Sequence, residues 1–181
     1  MALKSTIFKA TLQISDLDRN YYATLALTIA RHPSETDERM MVRILAFALH
    51  ADEALAFGKG ISSDDEPALW QKDLTGAVEL WIEVGLPDEK LLRRACGQAN
   101  QVIVYTYGGR AADLWWEQNR DKLERQERLS ISNIPLEVSR ALAKLAQRNM
   151  QLQCTVQDGE IWFSSGDATV HLVLNKVKAA S

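Results

Sequence analysis

The sequence predicts an α+β fold, because strand-like runs crowd both ends of the chain while helical spacing dominates separate stretches between them. Three observations carry this. Thr6 to Ile14 and Tyr21 to Ala30 are rich in Thr, Ile, Leu and aromatic residues and flank a turn-forming Asp16-Leu17-Asp18-Arg19-Asn20. Met41, Ile44, Leu45, Ala48, Leu49 and Leu55 recur at helical spacing, and Val78 to Val84 alternates apolar and polar.

The elements follow in order. The first two strands form an N-terminal hairpin. His32-Pro33-Ser34 stops the second strand. Ser34 is expected as the N-cap of a helix whose first turn carries Glu35, Asp37 and Glu38, acidic residues that complement the helix dipole, and Gly58 ends the pattern. A short strand is expected around Lys59 to Ser62, then a turn over Ser62 to Pro67 and a strand over Ala68 to Lys72. In Val78 to Val84, Leu80, Ile82 and Val84 share one face and Glu79, Trp81 and Glu83 the other. Pro87, Asp88 and Glu89 open a second helix running to about Asn100. Val102 to Tyr107 is an almost unbroken apolar run, the mark of a strand buried on both faces. Gly108-Gly109 leads into a helix with Leu114, Trp115 and Trp116, extended through Asn119 to Arg128. Leu129 to Ile134 reads as a strand and Pro135 to Arg148 as a helix. Three strands close the chain: Leu152 to Val156, Ile161 to Ser164 and Thr169 to Leu174. Asp158-Gly159 joins the first two as a type I′ turn.

At 181 residues, with 46% hydrophobic and 25% charged residues, the chain suits one globular domain over 1–181. No apolar run approaches the ~18 residues of a membrane span, and no secretory leader is visible at Met1 to Ser5. Cys96 and Cys154 lie far apart without metal-ligand spacing, as free thiols of a cytosolic protein do. A net charge of −3 argues against a protein that coats nucleic acid, but leaves room for one local phosphate-gripping patch. His32, His50 and His171 share no zinc spacing, and no P-loop, GxGxxG, GxSxG or HExxH motif is present. Cys96, in a helix with no adjacent His, is not expected to be a nucleophile.

From Ser34 to Tyr107 the order is helix, three strands, helix, strand. Within and around it, Ala30-Arg31-His32-Pro33-Ser34-Glu35-Thr36, Asp64-Asp65-Glu66-Pro67 and Leu80-Trp81-Ile82-Glu83-Val84-Gly85-Leu86-Pro87-Asp88-Glu89 resemble the signature stretches of the YaeQ family. The likeness extends over essentially the whole chain, including Trp115-Trp116 and Gln157-Asp158-Gly159. YaeQ proteins are similar in core architecture to PD-(D/E)XK nucleases. The resemblance therefore implies a restriction-endonuclease-like core at about 34–107, with an added N-terminal hairpin and C-terminal strands.

In such nucleases an acidic residue on the second core strand and a Glu on the third hold Mg²⁺, which activates water and neutralises the scissile phosphate. A Lys two residues beyond the Glu reaches the same phosphate. Carried across, Glu83 takes the Glu position and Gly85 the Lys position, which alternation puts on the Glu83 face without the functional group, while Ala68 stands where the Asp belongs after Pro67. Glu66 or Asp65 would substitute for that Asp, Glu38 would be the helix-borne ligand, and Lys90 or Lys72 would replace the Lys. Gln98 and Arg94 would support the site from the following helix. The string Pro87-Asp88-Glu89-Lys90 only imitates the motif, because it opens a helix.

Each candidate has a plainer role. Glu83 reads equally as a solvent-facing or ion-paired carboxylate, Glu38 as a dipole-complementing residue, and the Asp64-Asp65-Glu66 run as a solvated turn. Arg93 and Arg94 form a small patch able to touch phosphate, and Trp115 and Trp116 are ordinary core aromatics as readily as base-stacking platforms. Two readings of function follow. One is a Mg²⁺-dependent phosphodiester hydrolase acting on nucleic acid. The other is a non-catalytic descendant of that fold that binds nucleic acid or a protein, with a link to transcription elongation implied by the family alone.

Overall fold

The structure, a computed structural model, describes residues 4–59 and 65–181. In chain order it contains β1 (Thr6–Asp16), β2 (Tyr21–Arg31), α1 (Asp37–His50), β3 (Leu55–Phe57), β4 (Leu69–Lys72), β5 (Val78–Val84), α2 (Glu89–Gln98) and β6 (Ala99–Thr106). Then come α3 (Arg110–Leu123), β7 (Leu129–Asn133), α4 (Leu136–Ala143), β8 (Asn149–Gln157), β9 (Glu160–Ser165), β10 (Ala168–Val173) and β11 (Asn175–Lys178). Among the described residues, four helices and two mixed sheets make this an α+β fold.

The chain divides into two compact units, one of Met1–His50 with Glu137–Leu174, the other of Ala51–Leu136 with Asn175–Ser181. The stretch 34–107 therefore crosses a unit boundary after His50.

The first unit holds a five-stranded sheet in the order β10-β9-β8-β1-β2. β1 pairs antiparallel with β2 in unbroken register from Thr6↔Arg31 to Asp16↔Tyr21, and parallel with β8 from Lys9↔Asn149 to Asp16↔Val156. Burial alternates along β1 and β8: Phe8, Ala10, Leu12 and Ile14 are buried with Met150, Leu152 and Cys154, while Lys9, Gln13, Gln151 and Gln153 face solvent. The Asp158-Gly159 turn has φ of 53° and 78°, the doubly left-handed geometry of type I′. Asp18 accepts hydrogen bonds from the backbone N–H groups of Asp158 and Gly159 (2.7 and 2.9 Å), fixing one hairpin turn to the other.

Helix α1 begins later than expected. Thr36, not Ser34, supplies the capping oxygen, its Oγ1 accepting from Arg39 N–H at 3.0 Å, while Ser34 Oγ contacts His32 Nδ1 at 2.6 Å. A threonine in that position satisfies one of the helix's first unpaired amides. Glu35 is buried and bound by Arg39 and by the deeply buried Arg43, whose guanidinium also donates to Ala30 O. Arg31 pairs with Asp37.

The second unit holds a six-stranded sheet, β11-β7-β6-β5-β4-β3. β5, β6 and β7 are parallel and β3, β4 and β5 antiparallel. Helix α1 stops at His50, and Leu55 belongs to β3; the strand expected near Lys59–Ser62 falls mostly on residues 60–62, outside the described residues. Helix α3 ends at Leu123 rather than near Arg128, α4 at Ala143 rather than Arg148, and β11 is an additional strand. Among the described residues no helix is long and apolar enough to cross a membrane.

Candidate functional site

Strand β5 is the centre of the predicted site. Its β-rich, alternating sequence pairs with β4 and β6, so Trp81 lies beside Val102 and Glu83 beside Val104. Trp81, Val102 and Val104 belong to one buried cluster with Leu92, Ala95 and Cys96 of α2 and Leu123 of α3. Glu83 shares a strand face with Trp81 and hence looks toward that cluster. It is 8% exposed, and its Oε1 accepts a hydrogen bond from Trp81 Nε1 at 2.9 Å. The face expected to be the wetter side of β5 is therefore buried, and the solvent-facing role for Glu83 is excluded. Trp70 meets Trp81 edge-on at 6.1 Å, and Lys72 Nζ sits 3.8 Å from the Trp70 ring centroid. Both contacts use the ring quadrupole, positive at its edge and negative over its face.

The other motif positions can now be placed. Leu69 pairs with Ile82, so Ala68 continues the register alongside Glu83. At 1% exposure, its methyl group stands where a strand-two carboxylate would meet Glu83. Gly85 does not continue the alternation. β5 ends at Val84, and Gly85 turns out of it with φ +97°, a conformation that disfavours any Lys side chain there. The expectation that Gly85 keeps the geometry of the Lys position is corrected accordingly.

The substitutes are dispersed. Glu66 Oε2 accepts from the Lys59 backbone N–H at 2.8 Å, tying the ends of the β3–β4 connection, and Asp65 is exposed beside it. Asp64 lies outside the described residues. Glu38 belongs to the first unit, half-buried, where its Oε2 accepts from Ser139 Oγ at 2.9 Å. Lys72 pairs with Val78, at the opposite end of β5 from Glu83. Lys90 is at the Glu83 end but exposed, as are Arg94 and Gln98. Among the described residues, no three His, Cys, Asp or Glu side chains form a group able to hold a metal ion. These residues, as they stand, do not fit the expected Mg²⁺ site.

Helix α2 is built as its sequence suggests. Asp88 caps it, accepting from Lys90 N–H at 2.7 Å, which keeps Pro87-Asp88-Glu89-Lys90 a helix start. Trp115 Nε1 donates to Pro87 O at 2.9 Å, so the tryptophan holds this entry turn. Glu89 is buried, with Arg93 Nε 2.5 Å from its Oε1. In the sequence Glu89 is marked only as a helix-opening acid beside Asp88; its burial depends on the fold around α2. At the far end, Arg128 donates to Ala99 O at 3.1 Å. The exposed positions of α2 are Lys90, Arg93, Arg94, Gly97 and Gln98, none of them acidic. Burial raises the Cys96 thiol pKa against the opposing pull of Lys178 and Arg128, in keeping with an inert thiol.

The match to the YaeQ protein family model runs over residues 1–174. The chain belongs to the YaeQ family. It is 49% identical over 164 residues to the Escherichia coli (strain K12) protein described as "Uncharacterized protein YaeQ", covering 91% of each chain. With the Salmonella typhi YaeQ protein it shares 45% identity over 174 residues, 96% of each. The crystal structure of YaeQ from Xanthomonas axonopodis pv. citri superposes with a TM-score of 0.93 at 45% identity, covering 97% of this chain and 99% of that one. YaeQ from Pseudomonas syringae gives 0.93 at 35% identity, covering 97% of each.

Proposed function

We propose that this YaeQ-family chain is a cytosolic, non-catalytic nucleic-acid-binding module on a variant PD-(D/E)XK nuclease-like fold. The order α1-β3-β4-β5-α2-β6, with Glu83 on the third of these strands, supports descent from that fold. Three departures weigh against hydrolysis: Ala68 in place of the second-strand acid, Gly85 in a turn in place of the Lys, and Glu83 hydrogen-bonded to Trp81.

The observation that carries the binding reading is the solvent face of α2. Lys90, Arg94 and Gln98 recur every fourth residue and form one ridge, with Arg93 beside it. Lys90 and Arg94 are separated by about 6 Å along the axis, close to the axial rise of two nucleotides in a strand. Gly97 adds no side chain to this face, so a sugar-phosphate backbone can approach the helix. Such contacts position a strand without reading its bases, which suits a chain whose overall charge is −3.

Fluorescence anisotropy with a short duplex DNA and a single-stranded RNA, titrated over a range of salt, tests this. Binding is expected at low salt, and Lys90→Glu with Arg94→Glu lowers the slope of log K against log salt by about 2. No binding at low salt, or binding indifferent to the double reversal, removes the proposal.

The hydrolase reading retains one favourable observation, a buried carboxylate at the end of a central strand. Its test is separate: a rise in melting temperature with Mg²⁺ or Mn²⁺ that Glu83→Ala abolishes restores it.

A further inference from the structure

Strand β2 is 11 residues long and lies at the edge of the first unit's sheet. A strand in that position presents one row of backbone N–H and C=O groups to any chain able to pair with it. Folded proteins guard such edges with brevity, proline, charged side chains or a bulge. Two of the other edge strands are guarded: β3 has three residues, and β11 has four with two lysines and a register shift; β10, with six, is little more than half as long as β2. β2, Tyr-Tyr-Ala-Thr-Leu-Ala-Leu-Thr-Ile-Ala-Arg, contains no proline, no lysine and no acid, and pairs with β1 without a shift. Its one charge is the terminal Arg31, which is engaged by Asp37.

The apolar layer beneath this edge is also unfinished. Leu12 and Ile14 of β1 are at 0% and 1% exposure, yet their partners Leu25 and Ala23 on β2 are only half-buried, as is Tyr21. Apolar surface therefore continues outward past the last strand.

We infer that β2 is the docking edge for a second copy of this chain, pairing antiparallel with its own counterpart about a two-fold axis at Ala26. That register places Thr24 opposite Thr28 on the solvent face and Leu25 opposite Leu27 on the inner face. Ala23 then faces Ile29; beyond them the Ala30 carbonyl is already taken by Arg43 of α1, so the pairing spans Ala23 to Ile29. No like charges meet, and the threonine and aliphatic pairs are among those that stabilise adjacent strands. Because the interface is isologous, it closes at two copies. The shared edge, Ala23 to Ile29, runs about 23 Å, shorter than a stable dimer interface requires on its own, so weak association, in the micromolar range or above, is expected.

Sedimentation velocity of the full chain over roughly 1 to 300 µM, spanning weak interface affinities, should show monomer passing to dimer. Ala26→Lys, at an exposed position, sets two ammonium groups opposite each other on the axis and should leave only monomer, with an unchanged far-UV spectrum and a melting temperature that no longer rises with concentration. Ala26→Cys should cross-link to itself under mild oxidation, since Cys96 and Cys154 are buried. A monomer throughout the range overturns the inference, and so does a dimer that Ala26→Lys leaves intact. A dimer in which Ala26→Cys fails to cross-link overturns the register.

Discussion

The sheet of the first unit and the sheet of the second are built on opposite principles. Along β1 every second residue is buried and its neighbours carry Lys9, Gln13 or Ser15 toward solvent, whereas β5 is buried from Leu80 through Val84 on both faces. An alternating sheet needs only half its side chains for packing and leaves the rest free to vary. A sheet covered on both faces allows no such freedom, so a polar residue within it must find a specific partner. Glu83 and Thr106 are two such residues; Trp81 Nε1 donates to the first, and the second donates to Asn133 Oδ1 at 2.8 Å.

Alanine substitutions at consecutive positions give the largest test of this contrast. Leu12→Ala is expected to cost about 2–5 kcal/mol and Gln13→Ala less than about 0.5 kcal/mol. Trp81→Ala and Ile82→Ala should both be costly, about 3–5 and about 2–5 kcal/mol. Denaturant melts decide it: a cheap Trp81→Ala or a costly Gln13→Ala breaks the distinction.

The next effect is a pH dependence that arises in the first unit. His50, at the end of α1, has its pKa lowered from 6.5 to about 4, chiefly by desolvation and then by the Arg19 guanidinium, with Asp16 opposing. The folded protein thus keeps this imidazole neutral where the unfolded chain protonates it. The penalty is absent above about pH 6.5 and grows as pH falls to about 4, reaching roughly 3 kcal/mol. Melting temperature measured from about pH 7 to about pH 4 should fall less steeply in His50→Gln than in the parent; equal slopes refute this.

A smaller effect marks the point where β5 leaves its sheet. A Cβ on Gly85 would meet nothing nearer than the Tyr107 ring at 4.0 Å, so the cost of Gly85→Ala is backbone strain at φ +97°. Such strain is worth about 1–3 kcal/mol. A neutral melt for that variant would mean that the turn relaxes.

Much of the fold was legible where one local rule acts alone. Alternation located β5, Asp88 announced α2, and Asp158-Gly159 announced its turn. Leu55 misled because it falls in step with Ile44 and Ala48. The helix is stopped instead by a tight turn, in which Asp52 Oδ1 accepts from Ala54 N–H and Asp52 O accepts from Leu55 N–H. The candidate site was less legible. Motif spacing places Gly85 on the Glu83 face only if the strand continues, and a glycine gives no warning that its φ will be positive. Burial of the Trp81–Glu83 face was equally hidden, since it depends on α2 and α3 covering a row that looks half polar in one dimension.

The pairing of β1 with β8 has a consequence for biosynthesis. Lys9 meets Asn149, and Asp18 holds a turn 140 residues away, with the contiguous body of the second unit in between. As the chain leaves the ribosome, the opening hairpin has only itself to pair with, and an isolated hairpin is marginal in water. Residues 51–136 can assemble most of their sheet before β8 emerges. β1, among the earliest-made strands of this protein, therefore has no partner on its second side until β8 is made.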